Sequence, residues 1–407
     1  MKILLVTPFL AYPGSSGGGT AIFNLIRNLA SRHEIICLSF ARQEDLRHVR
    51  RLEPYCSEVI TVPFPGGTGI STAEKLFYLA RRVLHNFLSL VTCTPVLVWK
   101  CRSRAMRLEI CRTIERHRPD LVQLCFPQMA HYIGECRGVP AVMDTQDVAT
   151  VSSLRRFRRA GRLSAKVYYF LQWLFWLRYE ARFYPQFGKV LTLTRQDAAA
   201  LTMIDPTLDI HAEAIGVDMG APPESARSSS PSIGFLASFS HQPNVDAVFY
   251  FAESILPLVR ERVADVEFVV AGKNPPPALL DAAFPGVRCV GFVEEVSAFY
   301  GSVDIVVAPL RFGGGIKVKV LEAMACGKAV VTTSVGAEGI ANGNEEAFVV
   351  EDEPSAFAEA VVDLLKDGER RRAVGERARR LVERRFSWQR VNAELDGIYA
   401  ALARVRR

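Results

Sequence analysis

The chain has 407 residues, 49% hydrophobic and 23% charged, with 50 Lys and Arg against 43 Asp and Glu and a net charge of +7. That length suffices for two domains, each burying its own core, and the composition is ordinary for a globular protein. Nine cysteines without C-x-x-C spacing predict reduced thiols and offer no zinc site, and the longest apolar run, Phe87–Trp99, is too short to span a bilayer.

The charge is uneven. Residues 1–218 hold 28 basic against 18 acidic side chains, and the remainder 22 against 25. A basic half predicts a surface with an anionic partner. The start, MKILLVTPFL, enters a strand directly and is too short an apolar run for a signal peptide, so a cytoplasmic protein is expected.

In chain order, Ile3–Thr7 reads as a buried strand, followed by a loop over Pro8–Gly19 and a helix from about Thr20 to Ala30. Gly17-Gly18-Gly19 before a helix is either an anion cradle or a plain flexible loop. Glu34–Phe40 and Val59–Val62 read as strands, and Ser71 to about Glu115 as helical with interleaved basic and apolar residues. Leu121–Cys125 and Val139–Met143 return to strand, with a helix and turn between them. This alternation predicts a doubly wound parallel sheet.

Met143-Asp144-Thr145-Gln146-Asp147 follows a strand's carboxyl end, where open α/β sheets place their sites. Asp147 is there either to orient a substrate hydroxyl or to cap the next helix. Leu154–Lys189 carries nine Arg or Lys against one acid, Glu180, around VYYFLQWLFWL. It reads either as a basic amphipathic helix at a membrane interface, with Tyr168, Trp173 and Trp176, or as a core-facing aromatic helix. Val190–Thr194 reads as a strand and Arg195–Leu201 as a helix. Gly220–Ser232 is rich in Pro, Ser and Gly and reads as a linker.

Beyond it Ile233–Leu236, Val266–Val270 and Val287–Val290 read as strands, and Val245–Arg262 and Pro276–Phe284 as helices. Then DIVVAPLRFGGGIKVKVLEAMACGKAVVTT gives a strand at Ile305–Ala308, a glycine loop, a helix from Val318 to Cys326, a stop at Gly327 and a strand at Ala329–Thr333. Glycines before a helix leave backbone N–H groups for an anion. Gly314, Gly315, Lys317 and Lys319 suit phosphate, and Glu322, one turn on, suits sugar hydroxyls; the alternative is a buried βαβ unit with solvated lysines. Both lysines reach one diphosphate only if Lys317 stays in the loop. Gly336, in VGAEGI, offers either a phosphate donor or a turn. A charged helix, Phe386-Ser387-Trp388 and a final amphipathic helix end the chain.

KVLEAMACGKAVVTT resembles the donor-site signature of retaining GT-B glycosyltransferases of the GT4 type (glycosyltransferase group 1), and GGGIKVKVLE fits the form found in the bacterial exopolysaccharide and capsule branch. The resemblance covers nearly the whole chain and is most specific between Ile233 and Ile340. It implies two Rossmann-like domains facing a cleft: residues 1–218 on the acceptor side, a linker over 219–232, a donor domain over 233–385, and a tail helix over 386–407 crossing back. It implies a hexosyltransferase-like enzyme of cell-surface polysaccharide biosynthesis. The enzyme would move a sugar from a nucleotide sugar to a lipid-linked or glycan acceptor, with retention, no cofactor and no required metal. By the same resemblance Glu322 binds the ribose, and Gly18, Gly19 and Ser240 lie at the donor phosphates. Gly314 stands where the family has a second acidic residue, and Gln146 where it has a histidine near the transferred sugar. Glutamine cannot exchange a proton, which leaves Asp147 as the catalytic candidate.

Together these readings predict a peripheral protein at the inner face of the cell membrane, binding an anionic surface through its basic half. A nucleotide-sugar epimerase on the same fold, or a degenerate non-catalytic binder, is the alternative. No nucleic-acid reading motif occurs.

Overall fold

The computed structural model describes residues 1–12, 17–64, 72–136, 138–219, 230–280, 284–340 and 346–404. They form two compact units, one of Met1–Ala214 with Asn392–Arg407 and one of Ile215–Val391.

In the first unit the strands are β1 (Lys2–Thr7), β2 (Glu34–Ala41), β3 (Glu58–Pro63), β4 (Leu121–Cys125), β5 (Ala141–Asp144), β6 (Lys189–Leu191) and β7 (Ile210–His211). Among the described residues they make one parallel sheet in the order β3-β2-β1-β4-β5-β6-β7. Helices α1 (Gly17–Leu29), α2 (Thr72–Thr92), α3 (Val96–Cys101), α4 (Arg104–His117), α5 (Ala149–Arg159), α6 (Leu163–Phe183) and α7 (Arg195–Ile204) connect them. Leu4, Val6, Ile36, Leu38, Val122 and Leu124 are fully buried, which is why these strands read as continuous apolar runs. The helical stretch expected from Ser71 to Glu115 is three helices. Pro95 precedes α3, and Ser103 ends the run by capping α4, accepting from the Met106 N–H.

In the second unit β8 (Ser232–Leu236), β9 (Glu267–Ala271), β10 (Val287–Gly291), β11 (Ile305–Ala308), β12 (Ala329–Thr332) and β13 (Val349–Val350) form a parallel sheet in the order β10-β9-β8-β11-β12-β13. Its helices are α8 (Gln242–Tyr250), α9 (Leu256–Arg260), α10 (Pro277–Leu280), α11 (Val296–Gly301), α12 (Val318–Ala325), α13 (Pro354–Lys366) and α14 (Gly368–Phe386). The single helix expected over Val245–Arg262 is interrupted by a π turn at Phe251–Ile255. Pro257 lacks an N–H and its ring crowds the preceding turn, so the ladder widens there.

Helix α15 (Trp388–Arg404) begins in the second unit and ends in the first. The unit boundaries fall at Ala214 and Val391, not at 218 and 385, for a local reason. The Val217 N–H donates to the Phe386 carbonyl at 2.8 Å, and Gly216 lies so close to the Trp388 ring that a Cβ would sit 2.4 Å from it. That holds 215–217 to the end of α14. The expected linker lies largely outside the described residues, at 220–229.

In both sheets the strand order reverses beside the first strand, between β1 and β4 and between β8 and β11. In open α/β sheets ligands bind at such switch points, outside the carboxyl ends of the strands.

Candidate functional site

Helix α12 follows β11, so its N-terminus stands at the switch point of the second unit. The loop before it turns on Gly313 (φ 130°) and Gly315 (φ 67°), backbone conformations that favour glycine. Lys317 is the N-cap, with extended φ −95° and ψ 91°, so it belongs to the loop as the two-lysine reading requires. Its side chain, however, folds back. Lys317 Nζ donates to the carbonyls of Gly314 (3.3 Å) and Gly315 (2.5 Å) and lies 3.6 Å from Glu338 Oε2. Lys317 therefore meets the condition set for reaching a diphosphate together with Lys319, but in this structure its side chain clasps its own loop.

Lys319 points elsewhere. Its Nζ donates to Asn244 Oδ1 at 2.5 Å and lies 4.9 Å from the centre of the Phe235 ring. Asn244 in turn donates from Nδ2 to the Ser238 carbonyl, so its amide orientation is fixed. Tyr300 donates to the Lys319 carbonyl and fastens the first turn of α12 to α11. Burial lowers Lys319 to about 7; the nearby Lys317 charge adds to the shift and Glu322 opposes it. Burial likewise raises Glu322 to about 7, with Lys319 opposing and Asp218 adding. No described residue donates a hydrogen bond to the Glu322 carboxylate, which leaves its oxygens available to a ligand's hydroxyls.

The other donor-loop expectations fare differently. Ser240 is exposed and accepts from Asn274 Nδ2 at 2.9 Å. Gly314 is exposed at the loop's crest. Gly336 does not offer its N–H: that group donates to Thr333 Oγ1 at 3.1 Å. A Cβ there would meet Thr332 Oγ1 at 1.9 Å and the Ala308 carbonyl at 2.9 Å, so this glycine permits close packing rather than phosphate contact. Asn244, Tyr300 and Glu338 escape sequence reasoning. An Asn near a helix start, a buried Tyr and a surface Glu carry no signal of their own.

In the first unit Gly18 and Gly19 are not in a loop. Helix α1 begins at Gly17 and both lie in its first turn, following β1 at the switch point. Gly18 packs on Phe126, whose Cζ would lie 2.7 Å from an added Cβ.

Past β5, Asp144 is fully buried and raised to about 6 by burial, against the opposing hydrogen bonds of Gln146 and Gln123. Gln146 Nε2 donates to both its oxygens, at 2.9 and 3.0 Å. Asp147 is half-buried and also raised to about 6 by burial, opposed by Ser152 and Arg155 and reinforced by Asp197. It does not cap α5: the N-cap is Val148, and Asp147 accepts from the Ser152 hydroxyl. The capping carboxylate is Glu180, the lone acid of the basic stretch. It accepts from the N–H groups of Ala149 (2.9 Å) and Thr150 (3.4 Å) and from Thr150 Oγ1 (2.5 Å), and burial raises it to about 7. Asp147, Gln146 and Asp144 thus stand together, while the donor-loop residues gather in the other unit.

The basic stretch is two helices rather than one amphipathic helix. Arg155, Arg156, Arg158 and Arg159 lie on α5, Arg162 is the N-cap of α6, and the aromatic block is on α6. Phe175, Trp176 and Tyr179 face the core, as the core-facing reading has it, but Leu163, Val167, Tyr168, Phe170 and Leu174 are exposed. Alongside, α2 exposes Leu79, Val83, Phe87 and Val91, a stripe at helical spacing, and Gln172 of α6 bonds Ser89 of α2. No helix of the described residues is long and apolar enough to cross a membrane, and among them no cluster of metal-ligating side chains occurs.

Residues 230–367 match the family described as Glycosyl transferases group 1. A capsular polysaccharide biosynthesis glycosyltransferase, CapM, from Staphylococcus aureus is 32% identical over 117 residues, 28% of this chain and 30% of that protein. The chain spans less than half the length of the curated relatives it matches. Among solved structures, sucrose-phosphate synthase from Thermosynechococcus elongatus aligns over 99% of both chains with a TM-score of 0.68 and 14% identity. HepE from Anabaena, in complex with UDP, aligns over 98% of this chain and 100% of its own with a TM-score of 0.67 and 12% identity. Residues 230–367 are thus a glycosyl transferases group 1 domain, and the chain that carries them has the GT-B fold of the glycosyltransferases.

Proposed function

We propose that this protein is a retaining glycosyltransferase of the GT4 type. It transfers a sugar from a nucleotide sugar to a lipid-linked or glycan acceptor in cell-surface polysaccharide biosynthesis. One observation carries the reading: Lys319 and Glu322 lie one turn apart at the start of α12, at a sheet switch point, and burial drives both toward their uncharged forms. A buried lysine without a described anionic hydrogen-bond partner and a carboxylate without a described donor are relieved by a ligand that supplies phosphate charge to one and hydroxyl donors to the other. A nucleoside diphosphate does both. Lys319 and the amides before α12 would stabilise the departing diphosphate electrostatically, with no metal in the scheme. The match to group 1 glycosyltransferases, the name of the CapM relative and the UDP in the HepE complex support this reading.

The exposed apolar residues of α2 and α6, beside the arginines of α5, support attachment to an anionic membrane from its cytoplasmic side. A lipid-linked acceptor would be met there.

Thermal unfolding of the full chain with UDP-, GDP- and ADP-linked hexoses tests the reading. A ligand at 100 times its dissociation constant adds about 2.7 kcal/mol, which is a clear shift. Stabilisation by none of them contradicts the proposal. Conversion of the nucleotide sugar to its epimer without an acceptor would replace transfer by epimerisation.

A further inference from the structure

Helix α8 grips the glycine loop of the second unit at both ends. Asn244, in the first turn of α8, accepts from Lys319 Nζ through Oδ1 at 2.5 Å and donates from Nδ2 to the Ser238 carbonyl at 2.7 Å. Asp246, two residues on, accepts from Arg311 Nε at 2.9 Å and from Arg311 Nη2 at 2.5 Å. The Arg311 guanidinium also lies 4.5 Å from the centre of the Tyr250 ring. Arg311 stands two residues before Gly313, and Lys319 is in the first turn of α12, where the loop ends.

The direction of the Asn244 bonds is forced. A carbonyl only accepts, so the Ser238 oxygen takes the NH2 group and Oδ1 is left for the lysine. The pairing of Asp246 with Arg311 seats α8 on the loop without help from Lys319, so the amide is placed independently of the lysine it meets. Lys319 Nζ also lies 4.9 Å from the centre of the Phe235 ring, and no other described residue accepts from it. The two lysines of this segment thus differ in kind. Lys317 Nζ lies 3.6 Å from Glu338 Oε2 and donates to two loop carbonyls, so its charge is met within the protein. Lys319 is held by an uncharged group. A neutral amide fixes where an ammonium stands and leaves its charge unmatched, whereas a carboxylate there would neutralise it and repel a phosphate.

We propose that Asn244 is a positioning residue for nucleotide binding: it aims Lys319 at the diphosphate while leaving the lysine's charge for the ligand, and Asp246 with Arg311 holds α8 where it can do so. This rests on the glycosyltransferase reading. Asn244 touches no substrate in this scheme and acts through Lys319 alone. The lowering of Lys319 to about 7 by burial, only partly opposed by Glu322, fits a lysine that no carboxylate grips.

The test is calorimetric titration of the full chain with UDP, GDP and ADP and their nucleosides, carried through with the diphosphate that binds wild type most tightly. Asn244→Leu is expected to weaken that diphosphate about tenfold, the effect of one charge-assisted hydrogen bond lost from an aligned lysine, and to leave the nucleoside unchanged. Asn244→Asp keeps an acceptor at the same place but neutralises the lysine, and should weaken the diphosphate as well. A double-variant cycle separates aiming from bracing. In the Lys319→Ala background, Asn244→Leu should have no further effect on the diphosphate, because nothing is left to aim. A residue that only braces the Ser238 turn would cost the same in both backgrounds. Wild-type diphosphate affinity in either Asn244 variant, a loss that the nucleoside shares equally, or an equal loss with and without Lys319 overturns the proposal and leaves the glycosyltransferase reading intact. A wild-type chain that binds none of the three diphosphates and none of their sugar nucleotides overturns both.

Discussion

Lys319 and Glu322 share one face of α12, and burial pushes them in opposite directions to the same place, each to about 7. Near pH 7 each member of the pair is therefore only about half-charged. Its effect on stability follows from proton counting. Between about 4.5 and 7 the folded chain keeps a proton on Glu322 that the unfolded chain has lost, so stability falls as pH rises. Between about 7 and 10.5 the folded chain lacks a proton on Lys319 that the unfolded chain carries, so stability rises with pH.

The first prediction is a stability minimum near pH 7 contributed by this pair. Urea unfolding of wild type and of the double variant Lys319→Met, Glu322→Gln at pH 5, 7 and 9 should show a dip in the first that is shallower in the second. Parallel profiles would mean that the pair does not titrate between folded and unfolded chains.

The second concerns the clasp. Glu338 neutralises Lys317 at 3.6 Å while the loop carbonyls hold it back. Glu338→Gln should therefore tighten nucleoside diphosphate binding by up to about fivefold, since partly exposed ion pairs contribute up to about 1 kcal/mol. Unchanged affinity in calorimetry would leave Lys317 as a loop fastener and nothing else.

The third concerns Asp147. Asp147→Asn keeps the acceptor for Ser152 but removes the charge, and it should lower turnover at least tenfold with donor affinity little changed. Wild-type turnover would confine Asp147 to holding the first turn of α5.

Much of the architecture is legible in the residues. Ile305–Ala308 and Ala329–Thr332 are buried parallel strands, and such strands are apolar on both faces and need no alternation to be seen. Gly327, at φ 70°, stops α12 where a glycine is expected. What escapes is long-range pairing. Lys319 meets Asn244 across 75 residues and Tyr399 meets Gln123 across 276. No local pattern announces either bond. The start of α1 is missed by two to three residues because glycine reads as loop, although Gly17 to Gly19 are tolerated in the first turn. The basic stretch is misread as one helix because Ala160 and Gly161, which separate α5 from α6, break the pattern only briefly.

The fourth prediction concerns the membrane. Vesicles containing anionic lipid should bind the full chain less as salt rises. Replacing Arg155, Arg156, Arg158, Arg159 and Arg162 by Gln should weaken binding, each basic residue contributing about 1 kcal/mol near such a surface. Replacing Val83, Phe87 and Val91 by Ser should weaken it further at high salt, where the apolar stripe carries what remains. Cosedimentation that neither change alters would remove the membrane from the account.

Binding at α12 is the claim on which the rest depends. Calorimetric titration of wild type, Lys319→Ala and Glu322→Ala with a nucleoside, its diphosphate and its sugar nucleotide examines it directly. Hydrogen bonds to charged groups contribute about 1.5–3 kcal/mol, or roughly ten- to a hundredfold in affinity. Glu322→Ala should weaken the diphosphate and the sugar nucleotide alike. Lys319→Ala should weaken the diphosphate far more than the bare nucleoside. Equal affinities in all three proteins would mean that no nucleotide binds at α12, and the glycosyltransferase proposal would be contradicted.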